Sequence, residues 1–170
     1  MKRHWKRYIY ILAFLLIVLF IVYFLPRKLN KVYNGVRYRL GNSEEVEDVE
    51  LSIDGYLSKG LFKGDKFEGT ITIGDEKLSK LDMRFDKRGT TVLFYYDDSS
   101  GDYAAYGTIF TNDLKKEFTI TILEKDNQEG QKLWSGKDGL MISAPANNRE
   151  EALALSNKLM DEVLIDFELK

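Results

Sequence analysis

The residues Asp97-Asp98-Ser99-Ser100-Gly101-Asp102 set three carboxylates and two hydroxyls within six positions. Hard oxygen donors at that density suit Ca²⁺, which takes about six to eight of them. The spacing is not that of a helix–loop–helix calcium loop. With Gly101 at the sixth position of such a loop, the first position would fall on Tyr96, which is not a carboxylate. The same residue types also build a solvated hairpin turn. Asp97, Asp98 and Asp102 therefore stand as a candidate Ca²⁺ site against the simpler reading of a turn.

A second acidic run, Glu44-Glu45-Val46-Glu47-Asp48-Val49-Glu50, would attract a cation or a basic partner. It equally reads as the wet face of a long strand, or as charge that keeps a sheet edge from pairing. Paired carboxylates can cleave a glycosidic bond and a Ser–Lys pair can cut a peptide. With 27 acidic residues, chance pairs are expected and no local motif selects one. Gly60, Gly64 and Gly69 have neither dinucleotide-fold nor P-loop spacing. Tyr95, Tyr96, Tyr103 and Tyr106 would line a pocket or, more simply, pair across neighbouring strands.

The chain has no cysteine, and its one histidine, His4, precedes everything that looks like a folded domain. Disulfides, thiolate sites, histidine-dependent triads and histidine metal sites are thus excluded from the domain. No cofactor is expected. The net charge of −2 conceals an asymmetry, because all 27 acidic residues lie beyond residue 40, where they face only 16 Lys/Arg. Nucleic acid requires a positive footprint and is not an expected partner.

The elements that must position these groups begin with an apolar run. From Ile9 to Leu25 there are 17 residues without charge, amide or glycine. As a helix they cover about 26 Å, close to a hydrocarbon core of about 30 Å. Trp5, Tyr8, Tyr10 and Tyr23 lie near its ends, where amphipathic rings favour headgroups. The run is longer than the hydrophobic part of a signal peptide and ends in Tyr23-Phe-Leu-Pro-Arg-Lys, without small residues for cleavage. The expectation is an uncleaved transmembrane helix over 9–25, with a basic tail over 1–8 and a polar linker over 26–34. Lys2, Arg3, Lys6 and Arg7 precede the span; Arg27, Lys28, Lys31, Arg37 and Arg39 follow it. The denser cluster comes first, which favours a cytoplasmic N-terminus and a domain outside.

Residues 35–170 read as one mainly β domain. Val49/Leu51/Ile53, Phe67/Ile71/Ile73, Leu81/Met83/Phe85 and Phe118/Ile120/Ile122 each alternate with polar residues, the pattern of antiparallel strands with one buried and one wet face. Thr91–Tyr96 is apolar on both faces and is expected to be central or doubly covered, with Tyr103–Thr111 as its hairpin partner. Turn residues at Gly74-Asp75, Lys87-Arg-Gly89, Asn112-Asp113 and Asn127-Gln-Glu-Gly130 complete about eight strands, a meander forming a sandwich or an up-and-down barrel. After Pro145 a helix over 148–164 is predicted, capped by Asn147 or Asn148 with Glu150 or Glu151. Its apolar stripe of Ala152, Leu155, Leu159 and Val163 should pack on the sheet. Ile165, Phe167 and Leu169 suggest a short final strand.

The tail Met1-Lys-Arg-His-Trp-Lys-Arg, the single span, and then Val49-Glu-Leu-Ser-Ile-Asp-Gly-Tyr and Phe67-Glu-Gly-Thr-Ile-Thr-Ile resemble small uncharacterised single-pass membrane proteins of Gram-positive bacteria. The resemblance implies a domain facing the cell-wall space and carries over no functional residue. Three functions follow as expectations. The first is a membrane-anchored extracytoplasmic β domain that binds or scaffolds without chemistry, its partners the lipid bilayer and an envelope protein or cell-wall component. The second is a small-ligand-binding β-barrel. The third is a cell-surface hydrolase using carboxylates or Ser–Lys.

Overall fold

The computed structural model describes residues 2–60, 64–125, 132–165 and 167–170. Helix α1 (Lys2–Phe24) is followed by β1 (Arg27–Arg39), β2 (Asn42–Ser58), β3 (Lys66–Ile73), β4 (Glu76–Arg84), β5 (Thr90–Asp97), β6 (Asp102–Asp113) and β7 (Glu117–Ile122). Then come the two-residue strands β8 (Glu124–Lys125) and β9 (Lys132–Leu133), β10 (Leu140–Ala144), and helix α2 (Arg149–Leu164). Eight strands form a closed antiparallel barrel in the order β1-β10-β7-β6-β5-β4-β3-β2, and β8 and β9 pair as a separate ribbon. Of the two expected architectures, the barrel is the one formed. Closure removes the open edges that a meander of long apolar strands would otherwise expose.

Eight strands enclose a lumen just wide enough for side chains to fill. Leu51, Ile53, Phe67, Ile71, Met83, Leu93, Ile109, Phe118, Ile120 and Ile142 fill it, each at most 1% exposed. Gly55 and Gly69 face each other across β2 and β3. A Cβ on either would stand 2.8 or 3.0 Å from the Phe67 ring, so the two glycines make the space that this ring occupies. Bulges interrupt the β3–β4, β5–β6 and β6–β7 ladders and bend the sheet toward closure. The seam between β4 and β5 is the sparsest, with a single ladder pair, Ser79↔Tyr96.

Several expectations are corrected. Arg27–Asn34 is not a linker: it forms the first half of β1, pairing residue for residue with Glu50–Leu57. Its alternation is hidden because only Leu29 and Tyr33 turn apolar side chains inward. The basic tail is not separate from the apolar helix, since α1 begins at Lys2; Lys and Arg are good helix formers and extend the ladder. Thr119 and Thr121 are buried rather than wet, because α2 covers the outside of β7 and β10. Conversely, β5 has an open outer face, with Val92 43% and Phe94 51% exposed, so its two-sided apolar character does not reflect double covering.

Helix α2 is capped as its sequence suggests. Asn148 accepts from the Glu151 amide, while the Glu151 carboxylate accepts from the Asn147 backbone and side-chain nitrogens. Its buried residues are Ala152, Ser156, Leu159 and Met160, which packs the expected stripe rotated toward Ser156 and leaves Val163 44% exposed. No strand forms at the C-terminus among the described residues. Instead Asn157 clasps the Leu169 backbone, its Oδ1 accepting from the amide and its Nδ2 donating to the carbonyl, and Leu169 is buried. The expected turn at Asn127–Gly130 lies outside the described residues.

Candidate functional site

The strand directions sort the connections into two ends. At the end joined to α1 lie residues 25–31, 58–60, 64–66, 84–90 and 112–117; at the other lie 39–47, 74–77, 97–102, 123–125 and 132–140. On these described residues the α1 end carries ten Lys/Arg against four Asp/Glu, and the far end five against ten. Lys158, Asp161 and Glu162 of α2 border the α1 end on one side and leave its excess positive. The barrel is thus electrically polarised along its axis.

The far mouth is closed by a polar layer. Val36, Tyr38 and Leu40 face α2, so Arg37 and Arg39 point to the lumen side of β1. Arg37 contacts Glu76 at 3.1 Å and Glu47 at 3.5 Å, and the Tyr106 hydroxyl donates to Glu76 at 2.8 Å. Arg39 binds Glu124 through two nitrogens at 2.8 and 2.9 Å, Glu45 at 2.7 Å, and the Asp138 carbonyl. Burial, together with the Glu76 carboxylate, raises the Tyr106 pKa above the ordinary tyrosine value. The Arg39 guanidinium outweighs partial burial and holds Glu124 below the usual carboxylate range.

This arrangement changes which charges flank the apolar helix. Arg37 and Arg39 lie on the order of 35–40 Å along β1 from its start, and belong to the far mouth rather than to the flank of α1. The acidic run is partly absorbed here too, since Glu45 and Glu47 pair with these arginines. Sequence separation hid the pairing: Glu76 and Glu124 are 39 and 85 residues from their arginines.

A first consequence is testable. The depressed folded pKa of Glu124 means that its pairing with Arg39 contributes stability above the unfolded value of about 4.3. That contribution is lost as pH falls from there through the lower folded value. Arg39→Gln should therefore lower the melting temperature slightly at pH 7, because a half-exposed pair is worth about 0–1 kcal/mol. The difference from wild type should disappear in melts at low pH; a difference that persists there would place the role of Arg39 in packing instead.

At the α1 end, a cleft of about 430 Å³ opens between the C-terminal half of α2 and the β4–β5 and β6–β7 connections. Of its five carboxylates, Asp161 and Glu162 belong to α2, and the other three serve their own loops. Asp65 accepts from the Gly60 amide and pairs with Lys59; Asp86 accepts from the Thr90 and Arg88 amides; Asp113 accepts from the Lys115 amide. Burial opposes ionisation of Asp86, but those two amides and the Arg88 side chain prevail and keep its pKa below the usual range. These are turn-capping roles.

Asp97, Asp98 and Asp102 occupy the exposed β5–β6 turn. Asp97 Oδ1 accepts from the Ser99 amide at 2.9 Å and hydroxyl at 2.6 Å, and these bonds hold its pKa low. Asp102 accepts from the Tyr103 amide. Among the described residues no group of three or more His, Cys, Asp or Glu is placed to hold a metal ion. The tyrosines pair across β5 and β6: Tyr96 with Tyr103 at 5.5 Å outside, and Tyr95 with Tyr106 at 6.2 Å on the lumen side.

One buried cluster was not foreseen. Tyr38, Thr119, Ser143 and Ser156, all 0% exposed, join their hydroxyls between α2 and the barrel wall. Ser156 lies 2.7 Å from each of the other three. The four hydroxyls satisfy one another and backbone carbonyls, with no carboxylate or amine in the set. Such a cluster fixes the docking of α2 and offers no general base.

Comparison with protein families, characterised proteins and solved structures finds no match. The molecule itself offers a filled lumen, a polar far mouth bonded within itself, a cleft in which three of five carboxylates cap loops, and a polarised axis.

Proposed function

We propose that the chain is a membrane-anchored β-barrel module that binds or scaffolds at the cell envelope without doing chemistry. The observation that carries this reading is α1 itself. Its segment Arg7–Phe24 has a mean hydropathy of 2.4, and none of it is buried against the rest of the protein. Apolar surface of that extent in water has no stable place. Only Leu25 and Pro26 separate α1 from β1, so cleavage at this junction would have to act between bulky residues at the foot of a barrel strand. That favours an anchor over a removable signal. The filled lumen favours a scaffold over a ligand carrier, and the commitment of Asp65, Asp86 and Asp113, three of the five cleft carboxylates, to loop capping favours binding over hydrolysis. The four basic residues before the span, against Arg27, Lys28 and Lys31 after it, favour the barrel outside.

The full chain should stay with membranes through carbonate extraction, and mass spectrometry of the mature protein should find residues 1–26 present. A soluble form beginning near residue 27 would refute the anchor. Protease added to intact protoplasts should digest the barrel; protection until the membrane is permeabilised would reverse the orientation.

A further inference from the structure

We propose that the α1 end of the barrel is a seat for an anionic phospholipid surface, so that the domain rests on the headgroups rather than swinging on its anchor. The inference rests on the anchored reading above and adds a second membrane contact to it. Two observations combine. The tether is two residues, which span about 7 Å, less than a physiological Debye length of about 8 Å. The end so tethered is the basic one, and the acidic end points away. Lysines and arginines held that close to anionic lipid are attracted to it, and the attraction fades within a screening length.

The loops at this end are built to present cations. Asp65, Asp86 and Asp113 accept from loop amides and are otherwise taken up by Lys59, Arg88 and Lys116, which leaves the remaining cations of these loops free of them. Among the described residues, Arg84, Lys87 and Lys115 enter none of the salt bridges that occupy Lys59, Lys66, Arg88 and Lys116. These positions are far apart in sequence, and only barrel closure brings them to one rim with Arg27 and Lys28. The acidic C-terminal turn of α2 flanks the rim from one side, so the seat is centred on the β1–β4 sector together with the β6–β7 turn, whose Lys115 carbonyl accepts from Lys31 of β1.

The absence of cysteine permits single labels. Full-length Ser58→Cys at the α1 end and Ser100→Cys at the far end would each carry a donor fluorophore, in nanodiscs containing headgroup acceptor lipid. The discs would be phosphatidylcholine alone or about one-third phosphatidylglycerol. Energy transfer from position 58 should be about twofold higher with phosphatidylglycerol, and should fall to the phosphatidylcholine value in about 1 M salt, where screening shortens to about 3 Å. Position 100 should give low transfer in both. Arg84→Gln/Lys87→Gln/Lys115→Gln should abolish the phosphatidylglycerol increment while leaving the chain in the disc. Transfer from position 58 that ignores lipid charge and salt, or an increment that survives the triple variant, would overturn the seat and leave the anchor standing. A chain that fails to enter discs of either composition would overturn the anchor, and the seat with it.

Discussion

Phe67→Ala should destabilise the barrel by about 3–5 kcal/mol, the range for emptying a large aromatic site in a core. The ring is wholly buried in the lumen, over the facing glycines Gly55 and Gly69. Neither glycine has a side chain that could move into the vacated space, and the closed ladder of β2 and β3 prevents the strands from collapsing inward. The cavity term should therefore be near its maximum. A single domain has about 5–15 kcal/mol in total, so the loss amounts to about 10–20 °C in melting temperature. Tyr56, on the neighbouring β2 position but 54% exposed on the outer face, is the control. Tyr56→Ala should change stability by about 0.5 kcal/mol or less. If denaturant melts of the full chain gave the two variants similar losses, the lumen would not be the packed core, and a ligand-carrying barrel would regain its claim.

The second large effect is expected at the α2 interface. Leu159 is 9% exposed and packs in the apolar layer formed with Met141, Phe110, Ala152 and Met160. Leu159→Asp would bury a carboxylate there without a partner, at a cost of several kcal/mol. That is enough to detach the helix or unfold the chain. The adjoining Lys158 is exposed and bonds Glu117 with both carboxylate oxygens at 2.8 Å. Lys158→Asp loses that pair and sets two carboxylates close together, for about 0–1 kcal/mol. Melts followed by far-ultraviolet circular dichroism should separate the two variants clearly. Equal stability would mean that α2 is not docked, and the hydroxyl cluster around Ser156 would lose its structural role.

Much of this architecture was legible along the chain because its signals are local. Period-two alternation at Val49–Ile53, Phe67–Ile73 and Leu81–Phe85 depends only on which side of a strand a residue occupies; all three lie in strands, with Phe85 one residue past the end of β4, and their apolar residues are buried. The same holds for the Asn148 cap, whose partner is three residues away, and for the length and apolarity of α1. These determined a mainly β domain with a terminal apolar helix and a C-terminal helix packed on the sheet. The segments that misled were those whose environment is set by something distant. Thr119 and Thr121 carry hydroxyls yet are buried, because α2 returns to cover them and Ser156 satisfies Thr119. Val92 and Phe94 are apolar yet exposed, because among the described residues no element returns over β5.

Tertiary structure alone decided barrel over sandwich, since that turns on whether β10 pairs with β1, a contact between residues about a hundred positions apart. It also decided where charge acts. By sequence, Arg37 and Arg39 belong with the basic flank of the apolar helix, while Arg84, Lys87 and Lys115 are scattered positive residues in an acidic domain. Closure inverts both readings: β1 carries its arginines to the far mouth and into bonds with Glu76 and Glu124, and the return of each strand gathers the scattered cations at the end joined to α1. The physical reason is range. Hydrophobic periodicity and helix capping act over a few residues and leave their mark in the sequence, whereas a charge acts on whatever the fold places within about 10 Å of it.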